Sequence, residues 1–332
     1  MTKMVILGSV ALLAAACLLG IVFEQLSEWR DFRRFPPPGR MVDVGGRRLH
    51  LFCQGEGAGP TIIVEQGAGS PSIFWWPVQR ALASTARVCT YDRAGYLWSP
   101  SLGKGRSITA RVDDLRDLLV SSGLPGPFVM VAHSYGGLMI SQLARRHPEL
   151  VAGLVFVDTP DERVMYDGRY LAQSKSLLTV VRVMSFVARC GALRLFNPMI
   201  AGLPAQFSAA DLAALGSLAA RPEFLTAMID DFGSLNRASA EERTSPPTGS
   251  FGALPVSVIS HGLPFPAPYD ALNEGWDEGQ SRLAALSSNS EIVIAEKSSH
   301  MIQFDEPDVV VDAIARVHAA ARDGGRLAAR AR

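Results

Sequence analysis

The chain lacks a surplus of charge of either sign. Its 332 residues hold 32 Lys and Arg against 32 Asp and Glu, so the formal net charge is zero. Such a balance gives no reason to expect nucleic acid or a broad anionic surface as partner. The groupings that announce bound groups are missing as well. No Cys/His cluster has metal-ligand spacing, and neither GxxxxGK[ST] nor GxGxxG occurs. No metal and no cofactor is therefore expected. No internal repeat is visible, which sets solenoids and propellers aside. Charge is sparse, at 19% against 48% hydrophobic residues. A chain of this kind buries a large core and is not disordered. Its length suits one large α/β domain with an insertion, or two domains.

Charge is absent altogether from Met4 to Phe23. About 20 apolar residues suffice for the roughly 30 Å hydrocarbon core of a bilayer. Residues 1–34 are expected to form an N-terminal transmembrane anchor with a juxtamembrane stretch, or else a signal segment, with Lys3 as its n-region. The apolar run is long for a signal and no clear A-x-A site follows, which favours the anchor. AAAC at 14–17 loosely resembles a lipoprotein cleavage box, yet the apolar LLGIVF follows it. Arg30, Arg33, Arg34 and Arg40 follow the span and place the main domain in the cytoplasm by the positive-inside rule. The three-residue tail before the span favours export instead, so the membrane face stays open.

Cysteines are few. Cys17 lies in the span and Cys190 in the middle region, while Cys53 and Cys89 fall in two strand-like segments. If those strands are neighbours in a sheet, the two thiols come within disulfide reach, which implies an oxidising compartment. Otherwise both are small buried hydrophobes.

After the proline-rich spacer FPPPGR (35–40), strand-like segments recur at 40–45, 47–53, 61–66, 86–92, 128–133, 153–158, 255–260 and 291–296. Several are continuous apolar runs, the pattern of strands buried on both faces of a parallel sheet. Helical periodicity lies between them, at 107–121, 136–147 and 306–321, so the class is α/β. Residues 161–250 break the rhythm with three apolar helical stretches. They emerge after VFVD, at the strand-end edge where open α/β sheets place ligands, and are expected to form a helical cap rather than packing filler. The core then comprises 35–160 and 251–322, followed by a basic, frayed tail at 323–332.

The stretch VMVAHSYGGLM (129–139) runs from an apolar strand through Ala132-His133-Ser134-Tyr135-Gly136 into a helical pattern. It fits the strand–turn–helix of a nucleophile elbow, G-x-S-x-G, with Ala132 in the first small position. A serine hydroxyl is a poor nucleophile until a base takes its proton. Of six histidines, His300 is the candidate base, on a loop after the last strand. His133 is read as structural, and His50, His147, His261 and His318 as uninvolved. The acid that orients the base should end a strand between Ser134 and His300. Asp158 does so and is preferred to Asp270, although an Asp before Thr-Pro could equally cap the insertion. Two backbone N–H groups should hold the oxyanion: that of Tyr135, and that of Ala68 in GAGS (67–70), whose glycines could equally make only a tight turn.

Over about residues 40–320 the chain resembles the α/β-hydrolase superfamily. EQGAGSPSIFWWPV stands where many members have a His-Gly oxyanion loop. YDRAGYLWS resembles the Asp-Arg-x-Gly-x-x-x-Ser turn, VAHSYGG the elbow, and SSHMIQFDEPDVVVDAI the His-bearing C-terminal segment. The resemblance implies a mostly parallel eight-stranded sheet flanked by helices, with an inserted helical cap. Two departures are visible: Gln66 replaces the usual His, and no acid follows the penultimate strand. Haloalkane dehalogenases take their acid from the strand after the elbow helix, where Asp158 sits here. They and epoxide hydrolases use an Asp nucleophile, whereas this chain has Ser134. The expected activity is cleavage of a small-molecule carboxylic ester, apolar or lipid-like in its acyl part, through an acyl-enzyme. Phe74, Trp75 and Trp76 are candidate walls for such an acyl group, or ordinary core. The same residues would serve an acyltransferase or a perhydrolase. A non-catalytic, membrane-tethered binding module is the rival from outside enzymology.

Overall fold

A computed structural model describes residues 2–237, 250–267 and 269–328. The eight expected strands are all present: β1 Arg40–Asp43, β2 Arg48–Gln54, β3 Ile62–Glu65, β4 Val88–Tyr91, β5 Phe128–His133, β6 Val151–Val157, β7 Gly252–His261 and β8 Ser287–Ala295. They form one sheet in the order β1-β2-β4-β3-β5-β6-β7-β8. The β1–β2 and β2–β4 pairs are antiparallel and the rest parallel. Every residue of β3, β4 and β5 is buried, which explains their unbroken apolar runs. By contrast, β8 begins four residues before the sequence reading. It is an edge strand of alternating exposure, and its polar start, Ser-Ser-Asn-Ser, carries no hydrophobic signal.

Strand alternation sorts the core into two layers. Ile62 and Val64 face one side with Val78 and Leu82 of α2 (Trp76–Leu82) and with Val310, Ile314 and Val317 of the last helix (Pro307–Asp323). Ile63 faces the other side, with Val112 and Leu115 of α3 (Ile108–Ser121) and Leu138 and Ile140 of α4 (Gly136–Arg146). Phe74, Trp75 and Trp76 are buried in the first layer. Cys53 and Cys89 face each other across β2 and β4 and are joined by a disulfide, with Cα atoms 4.0 Å apart.

Between β6 and β7 lie α5 (Glu162–Met165), α6 (Gly168–Arg189), α7 (Ala209–Leu218) and α8 (Pro222–Arg237). Residues 238–249 of the expected cap fall outside the described residues, as do 329–332 of the tail. The chain begins with α1 (Thr2–Arg34), one unbroken helix of 33 residues. Its stretch Ile6–Arg34 is long and apolar enough to cross a membrane. The helix is not a free tether: Arg194 pairs with Glu24 at 2.7 Å and with Asp31, and Arg221 pairs with Glu28 at 3.1 Å.

Candidate active site

Two strand ends meet at one edge of the sheet. Ser134 directly follows β5 and Asp158 directly follows β6, each in the left-handed region (φ +51° and +46°) that favours glycine. Both are held there by backbone bonds to the adjacent strand: Ser134 N–H donates to Val157 O (3.1 Å) and Asp158 N–H to Ile259 O (2.7 Å). Small residues are required around the turn because β3 is close. A Cβ on Gly136 would lie 2.7 Å from the carbonyl of Gln66. One on Gly67 would lie 2.8 Å from His133 Nδ1.

The structure brings Ser134, His300 and Asp158 together. Ser134 Oγ is 2.9 Å from His300 Nε2, and His300 Nδ1 is 2.6 Å from Asp158 Oδ2. A carboxylate only accepts, so Nδ1 carries the hydrogen and Nε2 is left to accept from the serine hydroxyl. Asp270 is not near this chain; it lies exposed at the start of a 3₁₀ turn, Asp270–Asn273.

His261, set aside in the sequence reading as having no partner, is bonded to Asp158. Its Nδ1 lies 2.8 Å from Oδ1, its backbone N–H donates to the same oxygen at 3.1 Å, and Trp276 Nε1 does so at 3.2 Å. Burial alone would raise the Asp158 pKa, but the bonds from His261 and His300 hold it down to about 2. The missed signal was positional. Val157 pairs with Ile259, so whatever follows β7 lies beside whatever follows β6. His261→Phe is expected to lower kcat about 10- to 100-fold, the usual worth of one hydrogen bond to a charge. KM should change little. Steady-state kinetics on a soluble ester checks this.

His133 points away from the cavity. It donates from Nε2 to the backbone carbonyl of His300 (2.9 Å), and burial with the neighbouring His300 lowers its pKa to about 3. His50, in β2, is buried with its Nδ1 2.8 Å from Asp92 Oδ2. Gln66, in place of the usual His, turns inward and bonds the carbonyl of Tyr91 at 2.8 Å. The loop that follows is fixed by a buried charge cluster. Arg93 donates to the carbonyls of Gln66 (2.7 Å) and Gly67 (2.6 Å) and to Asp231 of α8 (2.7 Å), and it pairs with Glu65. Arg111 reaches Asp231 at 2.8 Å. Arg93→Met would leave Glu65 without a cation, held only by the Tyr91 hydroxyl, and Asp231 with Arg111 as its one cation beside the Tyr96 hydroxyl. It is expected to cost about 3–5 kcal/mol, read as a lower midpoint in urea denaturation.

Ala68 and Ser134 line a cavity of about 330 Å³ together with Tyr170, Leu177, Phe232, Phe265, Trp276 and His300. The aromatic walls thus come from α6, α8 and the segment after β7. Phe74, Trp75 and Trp76 belong to the core instead. The Tyr135 side chain is buried, its hydroxyl 2.7 Å from Ser234 Oγ, so only its backbone N–H is offered to a ligand. Tyr170, not singled out from the sequence, lines the cavity beside Ser134. Burial raises its pKa to about 12, so the phenol stays protonated at neutral pH.

A strained serine on a strand–helix turn, with a histidine and a carboxylate in line behind it, is the arrangement of a serine hydrolase. Residues 62–313 match the model of the alpha/beta hydrolase family, and the chain belongs to that family. A curated relative, "Probable transporter efuK" of Hormonema carpetanum, is 37% identical over 130 residues, 37% of this chain and 18% of that one. The chain spans 18% and 36% of the lengths of two such curated relatives. Among solved structures, a thermophilic esterase from Thermogutta terrifontis superposes with a TM-score of 0.59 at 20% identity, over 85% of this chain and 98% of that one. An epoxide hydrolase from Bacillus megaterium superposes with a TM-score of 0.62 at 18% identity, over 84% and 99%. Two different reactions on one fold mean that the likeness to these structures establishes the fold, not the reaction or the substrate.

Proposed function

We propose that the chain is a membrane-anchored serine hydrolase that cleaves carboxylic esters with an apolar, lipid-like acyl group. The observation that carries this is the unbroken line Ser134 Oγ–His300–Asp158 opening into a cavity walled by Leu177, Phe232, Phe265 and Trp276. Ser134 Oγ bonds to the ester carbonyl carbon as its proton passes to His300 Nε2. The N–H groups of Ala68 and Tyr135 hold the oxyanion. Collapse breaks the ester C–O bond, and the alkoxide leaves with the proton from His300. Water then attacks the acyl carbon as its proton passes to His300; the acyl C–Oγ bond breaks, Ser134 Oγ takes that proton back and the carboxylic acid leaves, with Asp158 ionised throughout.

Residues 161–250 act as the cap and Met4–Phe23 as the anchor in this reading. The Cys53–Cys89 bridge favours an oxidising compartment for the catalytic domain. The test is a series of p-nitrophenyl esters of increasing acyl length, with an epoxide as comparison. Rates that rise with chain length and no epoxide opening support the proposal. Epoxide opening without ester cleavage overturns it.

A further inference from the structure

The cap carries a second surface that the catalytic site does not use. Along α6, Val180, Val183 and Phe186 are exposed, and beyond its end Leu195 and Phe196 are 84% and 71% exposed. These residues are grouped where α1 meets the cap. Gly20 approaches so closely that a Cβ on it would lie 2.3 Å from the carbonyl of Cys190, and Gly191 packs against Phe23. Cys17 on α1 is the neighbour that, after burial, raises the Cys190 thiol's pKa. Cys17 is six residues before the end of the uncharged run at Phe23, about 9 Å along a helix. The end of α6 is thus level with the last turns of the apolar segment, not beyond them. Below that level the partners become ionic, Glu24 and Asp31 with Arg194. A groove of about 900 Å³ follows, lined by Arg30, Arg33, Arg34 and the apolar Phe35, Leu195 and Ile200.

We propose that the anchor-facing end of the cap is seated in the bilayer, with Val183 and Phe186 toward the acyl region, Leu195 and Phe196 at its upper border, and Arg30, Arg33 and Arg34 at the phosphates. This rests on reading the chain as a membrane-anchored ester hydrolase. The occupant is a lipid surface because the end of α6 lies level with the last turns of the apolar part of α1, and the exposed apolar residues run from there to the arginines. An arginine fringe lies just past it, the arrangement of an interfacial helix. The consequence for substrate is direct. Tyr170, Gln173 and Leu177 line the catalytic cavity, and Val180 begins the exposed face one turn later on the same helix. A lipid ester enters from the membrane along α6.

The test uses the full chain reconstituted in vesicles of phosphatidylcholine and phosphatidylglycerol brominated near the top of the acyl chains. Phe196→Trp is expected to be quenched by the bromolipid and shielded from aqueous iodide, relative to the parent protein. Val120→Trp, on the exposed face of α3, should show the reverse. Iodide quenching of Phe196→Trp equal to that of Val120→Trp overturns the proposal, and so does shielding from both quenchers, which means a protein covers the face. In a second arm, Phe186→Glu with Phe196→Glu should slow cleavage of a vesicle-embedded long-chain ester at least about tenfold, since a charge is costly among acyl chains. Cleavage of a soluble short-chain ester should be unchanged; equal rates on the vesicle ester overturn the proposal. If the parent cleaves neither ester, the catalytic reading fails, while the quenching result still decides the membrane contact.

Discussion

Ser134→Ala is expected to reduce ester cleavage by about five to six orders of magnitude, the loss seen when a triad nucleophile is removed. The variant should remain folded. Alanine meets the same backbone demand at φ +51° as serine, and the hydroxyl contributes only its bond to His300. The decisive readout is covalent. A fluorophosphonate should modify Ser134 in the parent, located by peptide mass spectrometry, and nothing in the variant. His300→Ala should abolish turnover equally while leaving the serine in place, because no other base lies within reach of its hydroxyl among the described residues: Tyr170 is held protonated by burial. A folded parent that takes up no label would mean a dead or closed site. The chain would then be read as a binding module on a hydrolase fold.

The strands were legible because the central ones are buried on both faces, so hydrophobicity alone marked them. The elbow was legible because sterics restrict what can surround Ser134. Asp158 could be ranked above Asp270 because a strand end is a fixed place in the fold. What escaped the sequence reading depends on contacts between distant segments. His261 sits at a strand end too, but its meaning requires knowing that β7 lies beside β6. Tyr170 shares the cavity wall with Ser134 only through the path of α6, and no local pattern encodes that path. The aromatic run 74–76 could be read as pocket wall or as ordinary core, and its packing decides for the core. Arg194 and Glu24 are 170 residues apart, and charge balance within either segment says nothing of their pairing. The two strand cysteines were a conditional reading that register resolved: Cys53 lies directly opposite Cys89.

Asp158→Asn separates an orienting acid from a structural one. The carboxylate accepts from His300 on one oxygen and from His261 and Trp276 on the other. An amide of the same shape presents N–H₂ to one of the two imidazoles, which must then turn or change tautomer. If the amide nitrogen faces His300, Nε2 carries the hydrogen and no longer accepts from Ser134. The expected loss in kcat is about 10³- to 10⁴-fold, on the precedent of such a substitution in a serine protease. Asp270→Asn, at an exposed position, should be within about twofold of the parent, as surface changes usually are. The reverse ranking would remove Asp158 from the proposed mechanism. Stability supplies a second reading. The folded-state pKa of about 2 lies below the ordinary carboxylate value. The ionised group therefore adds on the order of 2 kcal/mol, fully present above the unfolded pKa of about 4 and lost as pH falls through 2. Urea midpoints of parent and variant should differ at pH 7 and converge toward pH 2. A gap that persists at pH 2 would mean that Asp158 stabilises the cap junction by packing rather than by charge.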